Sequence, residues 1–172
     1  MPPNNEPAAR HTLSMLVDNE PGVLARIVGL FSGRGYNIDS LTVAQVDAAR
    51  HLSRINIVAT GTEQVIEQIK ALLAKLVPVH RVQDLTVEGA HVERELALVK
   101  VTGDRQRLVD ALRIAEFMDV RLVDRAPDSF VFEVTGTSDD LDAVINLIEP
   151  VEISRAGVVA IGRGGSILSP RG

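Results

Sequence analysis

The 172-residue chain has no cysteine and no tryptophan. Without thiols it can build neither a disulfide framework nor a thiolate metal site. Aromatic side chains are scarce, four Phe and one Tyr, so the core has to be aliphatic and stacking platforms for nucleic-acid bases are missing. Lys and Arg total 18 against 23 Asp and Glu, and no basic block occurs. The net charge of −5 therefore points away from a nucleic-acid partner. No apolar run reaches the roughly 18 residues a membrane span needs, so no membrane partner is expected. The opening M-P-P-N-N-E-P-A-A-R lacks the apolar stretch of a signal peptide, and the cytoplasm is the expected compartment.

Signatures of catalysis are absent too. His11, His51, His80 and His91 are scattered, with no i, i+4 pair and no acidic partner at ligand spacing, so no metal site is expected. Asp139, Asp140 and Asp142 read as an acidic first helical turn rather than a catalytic pair. Ser32 and Ser40 carry no local sign of an activated nucleophile. Gly162, Gly164 and Gly165 are not followed by a helix, so they do not make a dinucleotide fingerprint. Glu93-Arg94-Glu95 reads as a solvated connector. No catalytic residue is assigned.

What is present is a 45% hydrophobic chain with clear periodicity. Residues 1–10 are polar and proline-rich and read as a disordered tail. Thr12 to Val17 reads as a strand, and a helix from about Pro21 to Arg34 carries Val23, Leu24, Ile27, Val28 and Phe31 at helical spacing. Tyr36 to Val46 and His51 to Thr60 read as two further strands. Thr62 suits a helix cap ahead of Val65, Ile66, Ile69, Leu72, Leu73 and Leu76, and Pro78 ends that helix. Val79 to Val87 is the fourth strand. The order β-α-β-β-α-β is the ferredoxin-like arrangement, here over residues 11–88.

The pattern recurs over residues 89–164. Glu95 to Thr102 reads as a strand with a near-continuous apolar run, and Gly103-Asp104 opens a helix. Val120 to Asp124 and Ser129 to Thr135 form two strands. Ser138 is the expected cap of a last helix, and Val151 to Ile161 the last strand, with a break near Arg155 to Gly157. Residues 165–172 read as a mobile tail. The fold class is thus α+β: two ferredoxin-like units, each an antiparallel sheet with helices on one face.

The halves differ at the first strand-to-helix turn. In the first half it is Asn19-Glu20-Pro21-Gly22, where Pro21 suits a first helical turn and Gly22 allows close approach to its backbone. The result is a helix N-terminus with free N–H groups, beside Asn19 and the apolar Val23 and Leu24. That combination can hold a small anion bearing an apolar group, although by itself it says only that a helix starts there. In the second half Asp104 places the protein's own carboxylate at the helix start, where a ligand carboxylate would be repelled. A binding site is therefore expected in the first half alone. Leu41, Val43 and Val46 would suit an edge or face shared between copies.

The string N-E-P-G-V-L-A-R-I-V-G-L-F-S-G-R-G-Y-N-I-D-S-L-T-V closely resembles the opening of the small regulatory subunit of acetohydroxyacid synthase, whose first domain belongs to the amino-acid-binding ACT family. P-G-V-L with Y-N-I-D is shared by ACT domains generally. A-H-V-E-R-E-L-A-L-V-K-V (Ala90 to Val101) and S-R-A-G-V-V-A-I-G-R-G (Ser154 to Gly164) point to this particular subunit. The resemblance spans roughly Thr12 to Gly164. It implies a non-catalytic subunit that activates a catalytic large subunit and confers feedback inhibition by valine or a related branched-chain amino acid. Thiamine diphosphate, FAD and magnesium would reside on that partner, with no cofactor in this chain. It also implies a homodimer joined side by side, with Asn19, Gly22, Val23 and Leu24 of one chain and Asn37 and Ile38 of the other around the amino acid. An alternative is a free-standing ACT-type sensor controlling another enzyme or a transcription factor, against which the two later strings argue. An enzyme in its own right is a third reading, without a supporting motif.

Overall fold

The computed structural model describes residues 7–171, so the expected N-terminal tail lies outside the described residues as far as residue 6. The elements in chain order are β1 (Ala9–Asp18), α1 (Val23–Ser32), β2 (Ile38–Asp47), β3 (Leu52–Gly61), α2 (Glu63–Ala74), β4 (Val79–Asp84), β5 (His91–Thr102), α3 (Arg105–Phe117), β6 (Arg121–Ala126), β7 (Ser129–Gly136), α4 (Ser138–Ile148), β8 (Glu152–Arg155) and β9 (Val159–Gly162). The chain divides into two compact units, Glu93–Val158 and the remainder on either side of it.

In the first unit the strand order is β2-β3-β1-β4, with every neighbouring pair antiparallel. One sheet face carries Leu13, Met15 and Val17 of β1 and Ile55, Ile57 and Ala59 of β3. Against it pack Val23, Ile27 and Phe31 of α1 and Ile66, Ile69 and Leu73 of α2, one stripe from each helix. Each large aliphatic or Phe side chain so buried contributes about 1.5–3 kcal/mol. Thr62 caps α2, its side chain accepting the Val65 N–H at 3.4 Å.

The opposite face of β1 is buried as well: Thr12 and Ser14 are fully covered and Leu16 nearly so. Cross-strand register puts Arg54, Leu16 and Arg81 in one row and Asn56, Ser14 and Gln83 in the next. The second row is hydrogen-bonded outward from Ser14, whose Oγ donates to Asn56 Oδ1 at 2.9 Å, while Asn56 Nδ2 donates to Thr42 Oγ1 at 3.1 Å. Arg54 Nε donates to Ser14 Oγ at 2.9 Å and its Nη2 to the Ala160 carbonyl at 3.0 Å. β9 lies against β1 on this side, and farther along Arg171 donates to the carbonyls of Val79 and His80. The chain from 159 onward thus closes the face that the helices leave open.

Two histidines have acidic partners after all. His11 Nδ1 lies 2.8 Å from Asp84 Oδ2 with both side chains buried, and His80 Nε2 lies 2.6 Å from Asp18 Oδ1. The partners are 73 and 62 residues away in sequence, so only strand pairing brings them together.

The second unit repeats the order as β6-β7-β5-β8. Ala97, Val99 and Val101 of β5, with Phe130, Phe132 and Val134 of β7, face Leu108, Ala111 and Ala115 of α3 and Leu141, Val144 and Ile148 of α4. The apolar run of β5 is therefore split between faces: Leu96 and Leu98 point the other way and stay substantially exposed. Asp104 caps α3 as expected, accepting the Arg107 N–H at 2.9 Å. The cap of α4 is Thr137, one residue earlier than expected, in a capping box with Asp140. The last strand is broken where expected, into β8 and β9: the pairing of β8 with β5 ends at Arg155, and Gly157 takes a left-handed φ of 91°.

Glu95 is the clearest departure from expectation, since it is 5% exposed rather than part of a solvated connector. Arg155 grips it with two bonds, Nε to Oε1 at 2.9 Å and Nη2 to Oε2 at 2.8 Å, and reaches Asp142 Oδ1 at 2.7 Å. Ser138 Oγ donates to Glu95 Oε2 at 3.2 Å. These hydrogen bonds from Arg155 outweigh burial and hold the Glu95 carboxyl below its ordinary value, while the two carboxylates raise the pKa of Arg155. A depressed carboxyl pKa stabilises the fold above the unfolded-state value of about 4.3 and loses that contribution as pH falls through the folded value. Glu95→Gln is therefore expected to cost on the order of 1–3 kcal/mol at neutral pH. It should also flatten the fall in urea midpoint between pH 5 and pH 3 relative to wild type. An unchanged acid limb in the variant would show that Glu95 is not a source of acid sensitivity.

Candidate functional site

The turn into α1 is built from its own residues. Asn19 is pinned by its N–H to the His51 carbonyl at 2.7 Å, and Val23 N–H reaches back to Glu20 O at 3.4 Å. Between them Gly22 has φ 85° and ψ −8°. These are the values of the third residue of a type II turn, with Pro21 at the second position where its fixed φ belongs. Gly22 is thus the cap before the helix, in the left-handed region, and not a member of the first helical turn as expected. Its carbonyl still accepts the Arg26 N–H at 3.1 Å.

A glycine cap has no side chain to offer the first-turn N–H groups, and α1 carries no acidic residue there. The other helices fill the same position from within, with Thr62, Asp104 and Thr137 each accepting a backbone N–H. The positive end of α1 is thus uncompensated by the chain. A Cβ built on Gly22 would meet nothing within 4 Å, so open space adjoins it. Val23 is buried in the aliphatic core, while Leu24 is 40% exposed beside the turn. The first turn of α1 is thus left without a side-chain cap, and the exposed Leu24 lies next to it.

Asn37 and Ile38 lie elsewhere. Asn37 is exposed, donating from Nδ2 to Asp39 Oδ1 at 3.1 Å, and Asp39 Oδ2 accepts from Thr60 at 2.8 Å. Ile38 is half-buried at the start of β2, opposite Ala59 of β3. Asn19 bonds to His51 at the other end of β3, so about 25 Å of strand separates the two groups. One chain brings Asn19, Gly22, Val23 and Leu24 together and leaves Asn37 and Ile38 apart from them.

Two family models match this chain, the AHAS small subunit-like ACT domain over residues 13–81 and the small subunit of acetolactate synthase over residues 94–164. The chain belongs to the acetolactate synthase small-subunit family. The isozyme 3 small subunit of Salmonella typhimurium is 44% identical over 163 residues, covering 92% of this chain and 99% of the relative. The probable acetolactate synthase small subunit of Archaeoglobus fulgidus is 40% identical over 158 residues, covering 90% and 98%. Among solved structures, the acetolactate synthase small subunit from Thermotoga maritima superposes with a TM-score of 0.80 at 35% identity, covering 92% of this chain and 99% of that one. All six candidate residues fall inside the segment matched by the ACT-domain family, and the α1 turn lies in its first third.

The backbone at Gly22 can be tested without any partner. Alanine there meets no steric obstacle and must hold φ near 85°, which should cost about 1 kcal/mol. Gly29, mid-helix and with open space around its Cβ position, should behave oppositely, gaining about 0.5–1 kcal/mol on change to alanine. Urea unfolding of both variants checks the pair. Equal effects of the same sign would contradict the left-handed cap.

Proposed function

We propose that this chain is the non-catalytic regulatory subunit of acetolactate synthase, the acetohydroxyacid synthase of the branched-chain amino-acid route. In this reading it activates the catalytic large subunit and confers feedback inhibition by valine or a related branched-chain amino acid, in the cytoplasm. The observation that carries the reading is the uncapped, acid-free N-terminus of α1 behind a left-handed glycine, with Leu24 exposed beside it. The first-turn N–H groups beyond Val23, which no side chain caps, suit a carboxylate, and Leu24 suits an aliphatic side chain. In this reading Asn19 engages the polar end. Thiamine diphosphate, FAD and magnesium belong to the large subunit in this reading. Among the described residues no group of three His, Asp or Glu stands where it could hold a metal ion.

If Asn19 and Ile38 both touch one ligand, the roughly 25 Å of strand between them in one chain calls for a site shared by two chains. β2 is the outer strand of its sheet. Val43 and Val46 are 44% and 55% exposed, while Leu41 packs onto its own core, opposite Ile57. Val43 and Val46 are thus the more exposed part of the expected contact surface, with Leu41 half-buried beside them. Two copies paired antiparallel along β2 would set the start of one β2 beside the end of the other.

Two outcomes follow. Gly22→Asp should abolish valine inhibition of the reconstituted enzyme while activation persists, because a carboxylate at the cap occupies the position the ligand's carboxylate needs. A variant still inhibited at the wild-type valine concentration would remove the site assignment. Sedimentation of the full chain at tens of micromolar should give a dimer, and Val43→Lys, a charge on the strand edge, should shift it toward monomer. A wild-type monomer at that concentration would end the two-chain reading.

A further inference from the structure

A cavity of about 420 Å³ lies in the first unit between the outer face of the sheet and the chain from Ile161 to Leu168. That size is within the range of small-ligand pockets, roughly 300–1,000 Å³. It is on the opposite sheet face from α1 and uses none of the six residues discussed above. Three guanidinium groups line it, each from a different element: Arg54 on β3, Arg81 on β4 and Arg163 just after β9. Arg54 and Arg81 stand in one cross-strand row on either side of Leu16, so the sheet aims both to the same side. Glu88 is the one acidic residue of the lining. Burial works against its charge, but Lys70 at 2.9 Å and the Asp84 N–H at 3.0 Å more than offset this and hold its carboxyl below the ordinary value. Glu88 is thus ionised and engaged chiefly by Lys70 and the Asp84 N–H, with a smaller attraction to Arg81, so one carboxylate faces three guanidinium groups in a chain whose net charge is −5.

The remaining walls are aliphatic or small. Leu85, Ala90, Ile161, Ile167 and Leu168 supply apolar surface, with no aromatic ring among the lining residues. Burial depresses the pKa of Arg54, a cation short of solvent that an incoming anion would favour. Guanidinium groups match a carboxylate bidentately. A ligand ammonium would meet three cations there, with Glu88 occupied by Lys70. The lack of rings argues against a nucleobase, which binds by stacking.

We propose that this cavity is a second ligand site, taking a short aliphatic carboxylate that carries no amino group, such as a 2-oxo or 2-hydroxy acid. It rejects amino acids by charge, the reverse of the preference proposed for the α1 turn. The inference stands independently of the function proposed above, since it rests on the cavity alone.

The test is calorimetric titration of the full chain at low salt with 3-methyl-2-oxobutanoate, valine and inorganic phosphate, with amide chemical shifts recorded in parallel. The oxo acid is expected to bind and to shift the amides of Gly162 and Gly164 rather than those of Gly22 and Leu24. Arg81→Gln and Arg163→Gln, both at exposed positions, should each weaken it about tenfold and leave valine binding unchanged. Gly22→Asp should leave oxo-acid binding intact and so separates failure of this site from failure of the α1 site. The proposal is overturned if the oxo acid does not bind, or if the double variant binds it as wild type does. It is equally overturned if valine competes for the arginine-dependent site, or if phosphate binds as tightly as the oxo acid, which would show charge alone at work.

Discussion

Strand β1 is buried on both faces, and the architecture of the first unit follows from that burial. Its odd residues meet two helices, which is how a half-covered sheet usually ends. Its even residues, Thr12, Ser14 and Leu16, are covered as well. Two of those three are hydroxyl residues, and a buried hydroxyl without a partner is costly. Ser14 resolves this through Asn56 and Arg54, and Arg54 in turn needs the Ala160 carbonyl. The requirement to satisfy one polar row therefore ties the end of the chain back to its first strand. It also leaves a cationic cavity where the returning chain does not fully fill the space.

The second unit shows what the same element order does without that cover. Its central strand β5 alternates cleanly, with Ala97, Val99 and Val101 inward and Leu96 and Leu98 outward. Its helix N-termini are filled by Asp104 and by the Thr137–Asp140 box. Its one buried carboxylate, Glu95, is closed off by Arg155. Both of its helix starts and its buried carboxylate are thus satisfied from within the unit. The first unit leaves α1 unsatisfied at the position where the proposed ligand would complete it.

Much of this was legible in particular residues. Val23, Ile27 and Phe31 at helical spacing, and Leu13, Met15 and Val17 at strand spacing, placed α1 and β1 closely, because burial of one face imposes a period. Pro21-Gly22 marked the turn. Which conformation Gly22 adopts was not legible, because glycine accepts both signs of φ and only the Glu20–Val23 bond selects one. That Thr137 rather than the expected Ser138 caps α4 was not legible for a similar reason, as adjacent hydroxyl residues are equivalent caps until the helix axis is set. The partners of His11, His80 and Glu95 were invisible, since they lie 43 or more residues away and carry no local pattern.

The sequence by itself determined the two β-α-β-β-α-β units, the helix that begins after Gly22, and family membership, because periodicity and turn chemistry act over a few residues. Only the tertiary structure decided which polar groups are buried together, that Leu41 packs inward while Val43 does not, and that Asn37 stands about 25 Å from Asn19 in one chain. It also decided that Arg54, Arg81 and Arg163 line one cavity. Those outcomes depend on strand register and on where the chain returns, and both are settled by satisfying buried groups across the whole unit rather than by any neighbouring residue.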